Sequence, residues 1–142
     1  MADEVNETIE GEGFTVSSLD ALGEGLGFRK IRKPLGVTAF GANAIVIPPG
    51  FATNRHAHEK QEELYFVHRG TIELEVGSPG SAQTYRLGEG GVARVAPEVP
   101  RRLRNVGDGD ATYVSVGGLD GYVGRDANLV GDEQEAMGGF GK

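Results

Sequence analysis

Apolar and polar residues alternate along much of this chain with the two-residue period of an extended strand. Residues 71–76 show it most cleanly: Ile72, Leu74 and Val76 fall on one face, Glu73 and Glu75 on the other. That is the pattern of a sheet with one buried and one wet side. Apolar runs of strand length recur at 44–47, 64–67 and 112–116. Between them the 24 glycines and six prolines punctuate the chain, at the roughly ten-residue rhythm of short strands joined by turns. Residues 77–81, Gly-Ser-Pro-Gly-Ser, have hairpin-loop composition. Helical signal is thin. A serine-capped turn is expected at 17–22, ended by Gly23, and another at 132–137.

These elements predict an all-β sandwich or barrel in a single domain, since 142 residues leave room for one core. Residues 1–35 read as an N-terminal extension with a short helix or turn and a first strand. Residues 36–118 read as the barrel. Residues 119–142 read as a glycine-rich tail, mobile or lying on a partner.

Charge and composition narrow the partners. Twenty-one acidic side chains against fourteen basic ones give a formal charge of −7, which disfavours nucleic acid. The basic clusters at 29–33 and 101–104 run against that average, and the first reads as solvated surface. No apolar run approaches the roughly 18 residues a membrane helix needs. With no cysteine and no apolar leader, a cytoplasmic location is expected. A homodimer is also expected, through the strand region 36–47 and the tail.

The candidate chemistry lies in a short stretch. All three histidines fall between positions 56 and 68. His56 and His58, two apart, project to the same side of an extended chain, and Glu63 follows at the head of an apolar strand. Two imidazoles and a carboxylate suit zinc, iron, manganese or nickel and leave coordination positions open. A polar loop would carry the same pair without a metal. His68 has the opposite parity to Glu63 and should point away, whereas Tyr65 and Val67 share Glu63's side. The glycine loop 23–27 lacks the flanks of a phosphate site, and Asp108-Gly109-Asp110 reads as a turn.

Gly50, His56, His58, Glu63 and Gly70 reproduce the spacing G-x5-H-x-H-x4-E-x6-G, and here the chain resembles the cupin family. The resemblance implies a single antiparallel β-barrel or jelly roll. It also implies a divalent metal held by His56, His58 and Glu63, and a small-molecule ligand. The family's second motif is matched only by Gly91, Pro97 and Asn105. Its histidine, the fourth ligand, is missing. Strand parity puts Arg101 in its place, with Leu103 and Asn105 on the same side and Arg102 and Arg104 outward. A guanidinium donates only and cannot ligate. Arg101 therefore either pairs with Glu63 or holds an anionic ligand, with Tyr65 as a second ligand contact. A metal-dependent oxygenase or isomerase and a non-catalytic binding or sensing module, with or without metal, both remain open.

Overall fold

The structure, a computed structural model, describes residues 2–124 and 126–130. The turn expected at 132–137 lies outside them. Twelve strands form among the described residues: β1 (Ile9–Glu10), β2 (Thr15–Val16), β3 (Gly27–Lys30), β4 (Gly41–Ile47), β5 (His56–His58), β6 (Glu62–Arg69), β7 (Ile72–Val76), β8 (Gln83–Leu87), β9 (Val92–Val95), β10 (Arg101–Asn105), β11 (Ala111–Gly118) and β12 (Ala127–Leu129). Two short turns of helix join them, a 3-10 turn at Leu19–Leu22 and α1 (Arg32–Leu35). The first is capped by the Ser18 side chain, which accepts from the Ala21 amide. Gly36, in the left-handed conformation, ends the second. Among the described residues no helix is long and apolar enough to cross a membrane.

Two five-stranded antiparallel sheets, ordered β3-β4-β11-β6-β9 and β12-β5-β10-β7-β8, build a jelly roll. Strands β1 and β2 form a separate ribbon. The core lies between the sheets. Ile45, Ile47, Tyr65, Val67, Val95 and Tyr113 from the first sheet meet Ile72, Leu74 and Leu103 from the second. In β6 the alternation runs unbroken from Glu62 to His68: Glu63, Tyr65 and Val67 are buried, while Glu62, Leu64, Phe66 and His68 are exposed.

Both motif glycines that end strands sit at positive φ, Gly50 at 81° and Gly70 at 83°, where a side chain would be strained. At Gly70 a Cβ would also come within 2.9 Å of the Ala111 Cβ, so the turn from β6 to β7 needs glycine twice over.

Two segments differ from the sequence reading. Arg29 is not solvated surface; it is buried, and its Nη2 donates to the Gly25 carbonyl at 2.7 Å. It sits on β3, which pairs with β4 and is covered by the preceding loop. Residues 127–129, within the expected tail, form β12 and pair with β5 over Ala127↔His58, Asn128↔Ala57 and Leu129↔His56. Glycine-rich flanks hide so short a strand from any periodicity.

Candidate metal centre

The site is assembled where the two sheets face each other, from β5 and β10 on one side and β6 and β11 on the other. Glu63 is the hub. Its Oε1 accepts from the Tyr65 hydroxyl at 2.5 Å and from Arg101 Nη1 at 2.8 Å, and its Oε2 accepts from the Ser115 hydroxyl at 3.1 Å. The Nε2 atoms of His56 and His58 lie 3.9 and 3.2 Å from the same Oε1. One ligating atom from each of His56, His58 and Glu63 lies within 4.8 Å of the others.

Close backbone approach makes room for this arrangement. Gly117 on β11 stands opposite Glu63 on β6. A Cβ there would crowd Glu63 Cγ at 3.2 Å and collide with the Gln61 side chain.

Each imidazole is tied down through its other nitrogen. His56 Nδ1 faces the Asn54 carbonyl at 3.3 Å, and His58 Nδ1 faces the Asp126 carboxylate at 2.8 Å. Both rings thus turn Nε2 inward, and their centroids stand 5.0 Å apart in an edge-to-face arrangement. His58 Nε2 is buried without a hydrogen-bond partner. Such an orphan carries a desolvation cost unless something occupies the space before it.

Electrostatics follow from the contacts. Burial alone would raise the Glu63 carboxyl, but the His56 and His58 rings and the Tyr65 hydroxyl close to it hold it far below the usual carboxylate range. Burial, reinforced by the Glu63 charge, pushes the Tyr65 phenol well up, and Tyr113 rises for the same reasons. Against the effect of its own burial, His58 is raised by Glu63 and Asp126.

Arg101 is completely buried. Its Nε donates to the Val99 carbonyl at 3.0 Å and its Nη2 to the Ala96 carbonyl at 2.7 Å, so each guanidinium nitrogen is engaged within the chain. Of the two roles read for Arg101, the pairing with Glu63 is the one present. Parity also sorts its neighbours: Leu103 and Asn105 are buried, whereas Arg104 is exposed. Asn105 bridges the Ile47 and Gly109 carbonyls and the Gly107 amide, a structural role. His68 is exposed on the far face of β6.

A cavity of ≈ 170 Å³ opens beside the cluster, walled by His56, His58, Glu63, Tyr65, Tyr113 and Ser115, with Phe28 and Ile45 supplying apolar surface. The donor set fits a divalent cation. Two neutral imidazole nitrogens and one carboxylate oxygen converge, and one of those nitrogens is otherwise unpartnered. The opposing influence is Arg101, which shares Oε1 with any such ion.

The structure thus gathers His56, His58, Glu63, Tyr65 and Arg101 into one cluster. Sequence reasoning missed Asp126, Gln61, Tyr113 and Ser115. Tyr113 and Ser115 share a parity on an apolar strand, a signal that was available. Asp126 stands 68 positions from His58 in a weakly patterned segment, where no spacing rule reaches it.

The fold has many counterparts among solved structures. Oxalate oxidase in complex with the substrate analogue glycolate superposes with a TM-score of 0.57 at 16% identity, over 65% of this chain and 46% of that one. A sugar phosphate isomerase from Silicibacter pomeroyi gives 0.57 at 23% identity, over 65% and 58%. An oxalate decarboxylase gives 0.61 at 18%, over 87% of this chain and 30% of that one. The chain therefore spans less than two thirds of each, and at these identities the likeness shows the fold. No curated protein matches the chain in sequence. The family described as the cupin domain matches residues 44–117, more than half of the sequence and all of the cluster but Asp126. This chain belongs to the cupin family.

Proposed function

We propose that the chain binds a divalent metal ion, iron, manganese, zinc or nickel, through His56, His58 and Glu63, and uses it to hold a small anionic molecule. One observation carries this reading. Three donor atoms converge, and the buried Nε2 of His58 has no other partner. Bound there, the ion would act as a Lewis acid on a ligand oxygen. Tyr65 lines the cavity, and its hydroxyl, which donates to Glu63 Oε1 in the metal-free chain, would turn to a ligand oxygen where an ion takes over Oε1. Arg101 adds positive charge behind Glu63. Glu63 and Arg101 cancel, so a divalent ion leaves the cavity net positive, which favours an anion.

The cavity limits the ligand. At ≈ 170 Å³ it lies below the roughly 300–1,000 Å³ typical of drug-sized sites. That size favours a two- or three-carbon acid such as glycolate over a sugar phosphate. The size of the cavity supports an oxidase- or decarboxylase-like reading over an isomerase-like one.

A homodimer is also proposed, through the exposed outer face of β6 and β9 with Leu64, Phe66 and Val92 rather than the 36–47 region and tail expected from sequence, and light scattering tests it. A metal-free binding module is the second reading, favoured by the 2.8 Å contact of Arg101 with Glu63. Elemental analysis of protein purified without chelator or metal-binding tag separates the two. About one metal per chain, lost in His58→Ala, supports the first. Calorimetry with glycolate should then show binding only to the metal-loaded protein.

A further inference from the structure

Asp126 lies just before β12 and is buried, and its carboxylate is fully engaged. Oδ1 accepts from His58 Nδ1 at 2.8 Å and from Gln61 Nε2 at 2.6 Å. Oδ2 accepts from the Lys60 and Gln61 amides at 2.8 and 2.9 Å. Four donors converge on two oxygens, and only an ionised carboxylate has no donor of its own to misplace among them. Those bonds hold the Asp126 carboxyl below the ordinary range despite its burial.

This arrangement decides where His58 keeps its proton. Were Nδ1 bare, two lone pairs would face each other at 2.8 Å. The Gln61 amide, 3.3 Å from Nδ1, does not relieve that: one of its two hydrogens goes to Oδ1 at 2.6 Å, the other has the Val123 carbonyl at 3.4 Å, and the Nδ1–Oδ1 contact still needs a proton of its own. The proton therefore sits on Nδ1. On the other side of the ring, Glu63 Oε1 is occupied by Arg101 and Tyr65 and gives Nε2 no aligned acceptor.

We infer that Asp126 is a positioning residue: it fixes His58 as the Nδ1–H tautomer and so presents the Nε2 lone pair to the cation site. A carboxylate behind a metal-ligating imidazole both orients the ring and raises its basicity. The inference rests on the metal reading for its purpose, but its geometry stands on β12 alone. The strand is held there independently, by Glu59 N to Asp126 O at 3.1 Å and Val130 N to Arg55 O at 2.8 Å.

The test is Asp126→Asn, read in three ways. The amide keeps the shape but has one acceptor oxygen. With that oxygen on the Lys60 and Gln61 amides, its NH2 donates to His58 Nδ1 and drives the proton to Nε2. Nitrogen-15 NMR of the metal-free proteins, at a pH where imidazoles are neutral, should find His58 protonated on Nδ1 in the wild type and on Nε2 in the variant. Zinc affinity should fall about 10- to 100-fold. Hydrogen exchange of Ala127–Leu129 should stay slow, which a role limited to tethering β12 does not predict. A wild-type His58 carrying its proton on Nε2 overturns the inference, as does a variant with unchanged tautomer and unchanged zinc affinity. The wild-type spectrum decides even if the variant loosens β12. A chain with the Nδ1–H tautomer that takes up no zinc refutes the metal reading and leaves the assignment of Asp126 intact.

Discussion

Arg101 on β10 and Glu63 on β6 join the two sheets across the barrel interior through one hydrogen-bonded ion pair, 2.8 Å from Nη1 to Oε1. The arginine is completely buried and the glutamate almost so. Its backbone also faces His56 across β5 and β10, so the same residue borders the histidine cluster along the sheet and across it.

Removing one partner of such a pair strands the other charge. Arg101→Met should destabilise the metal-free protein by about 3–5 kcal/mol, and it also takes a donor from each of the Val99 and Ala96 carbonyls, of which Ala96 keeps the Val99 amide. The double variant Arg101→Met with Glu63→Leu should recover much of the loss, because neither charge is then buried alone. Arg104→Ala, at an exposed position, should stay within about 0.5 kcal/mol of the wild type. Urea denaturation of the metal-free chains measures all three.

The ligand assignment predicts a sharp contrast among histidines. His56→Ala, His58→Ala and Glu63→Gln should each bring the metal content of purified protein close to zero while circular dichroism shows the fold retained, Glu63→Gln at lower stability because it strands the Arg101 charge. His68→Ala should leave metal content unchanged, since its ring lies on the outer face of β6. Equal loss in the His68 variant would remove the basis for the ligand set.

How much of this was legible in the sequence depends on how local each signal was. The β6 pattern and the spacing from Gly50 to Gly70 are short-range, and they locate His56, His58, Glu63 and Tyr65 from the sequence alone. The parity of β10 picked Arg101 over Arg102 for the same reason: a strand's two faces are fixed by counting. Asp126 was out of reach because its partner is set by β12 docking on β5, a long-range pairing of a three-residue strand. Arg29 was misread because a basic run normally stays solvated, and only the fold shows the 23–26 loop closing over it.

The tyrosines offer a test of interior polarity. Tyr65 and Tyr113, two of the four in the chain, are both buried, and burial near Glu63 raises both phenols. In the unfolded chain they ionise near pH ~10. Above that pH the unfolded state releases protons that the native state keeps, so stability must fall as pH rises. Spectrophotometric titration should therefore show no more than two phenolates before alkaline unfolding, with the rest appearing together with the loss of structure. Reversible ionisation of all four in folded protein would mean that the cavity wall is wetter than the packing indicates.

The strongest separation of the two functional readings comes from Arg101→His. The guanidinium stands where the family's second motif carries its missing histidine, and it contacts the very oxygen that a cation would share. An imidazole in its place adds a fourth donor and removes a fixed positive charge, and both changes favour a cation. Zinc or manganese affinity should rise more than about tenfold, about 1.4 kcal/mol. Arg104→His, on the outward face of the same strand, should give no gain. Anion binding should respond in the opposite sense, because the cavity loses the charge behind Glu63: glycolate affinity per bound metal should fall even as metal affinity climbs. If Arg101→His leaves metal affinity unchanged, the arginine is not competing with a cation for Glu63. The ion pair is then a permanent strut, and the metal-free reading of the site prevails.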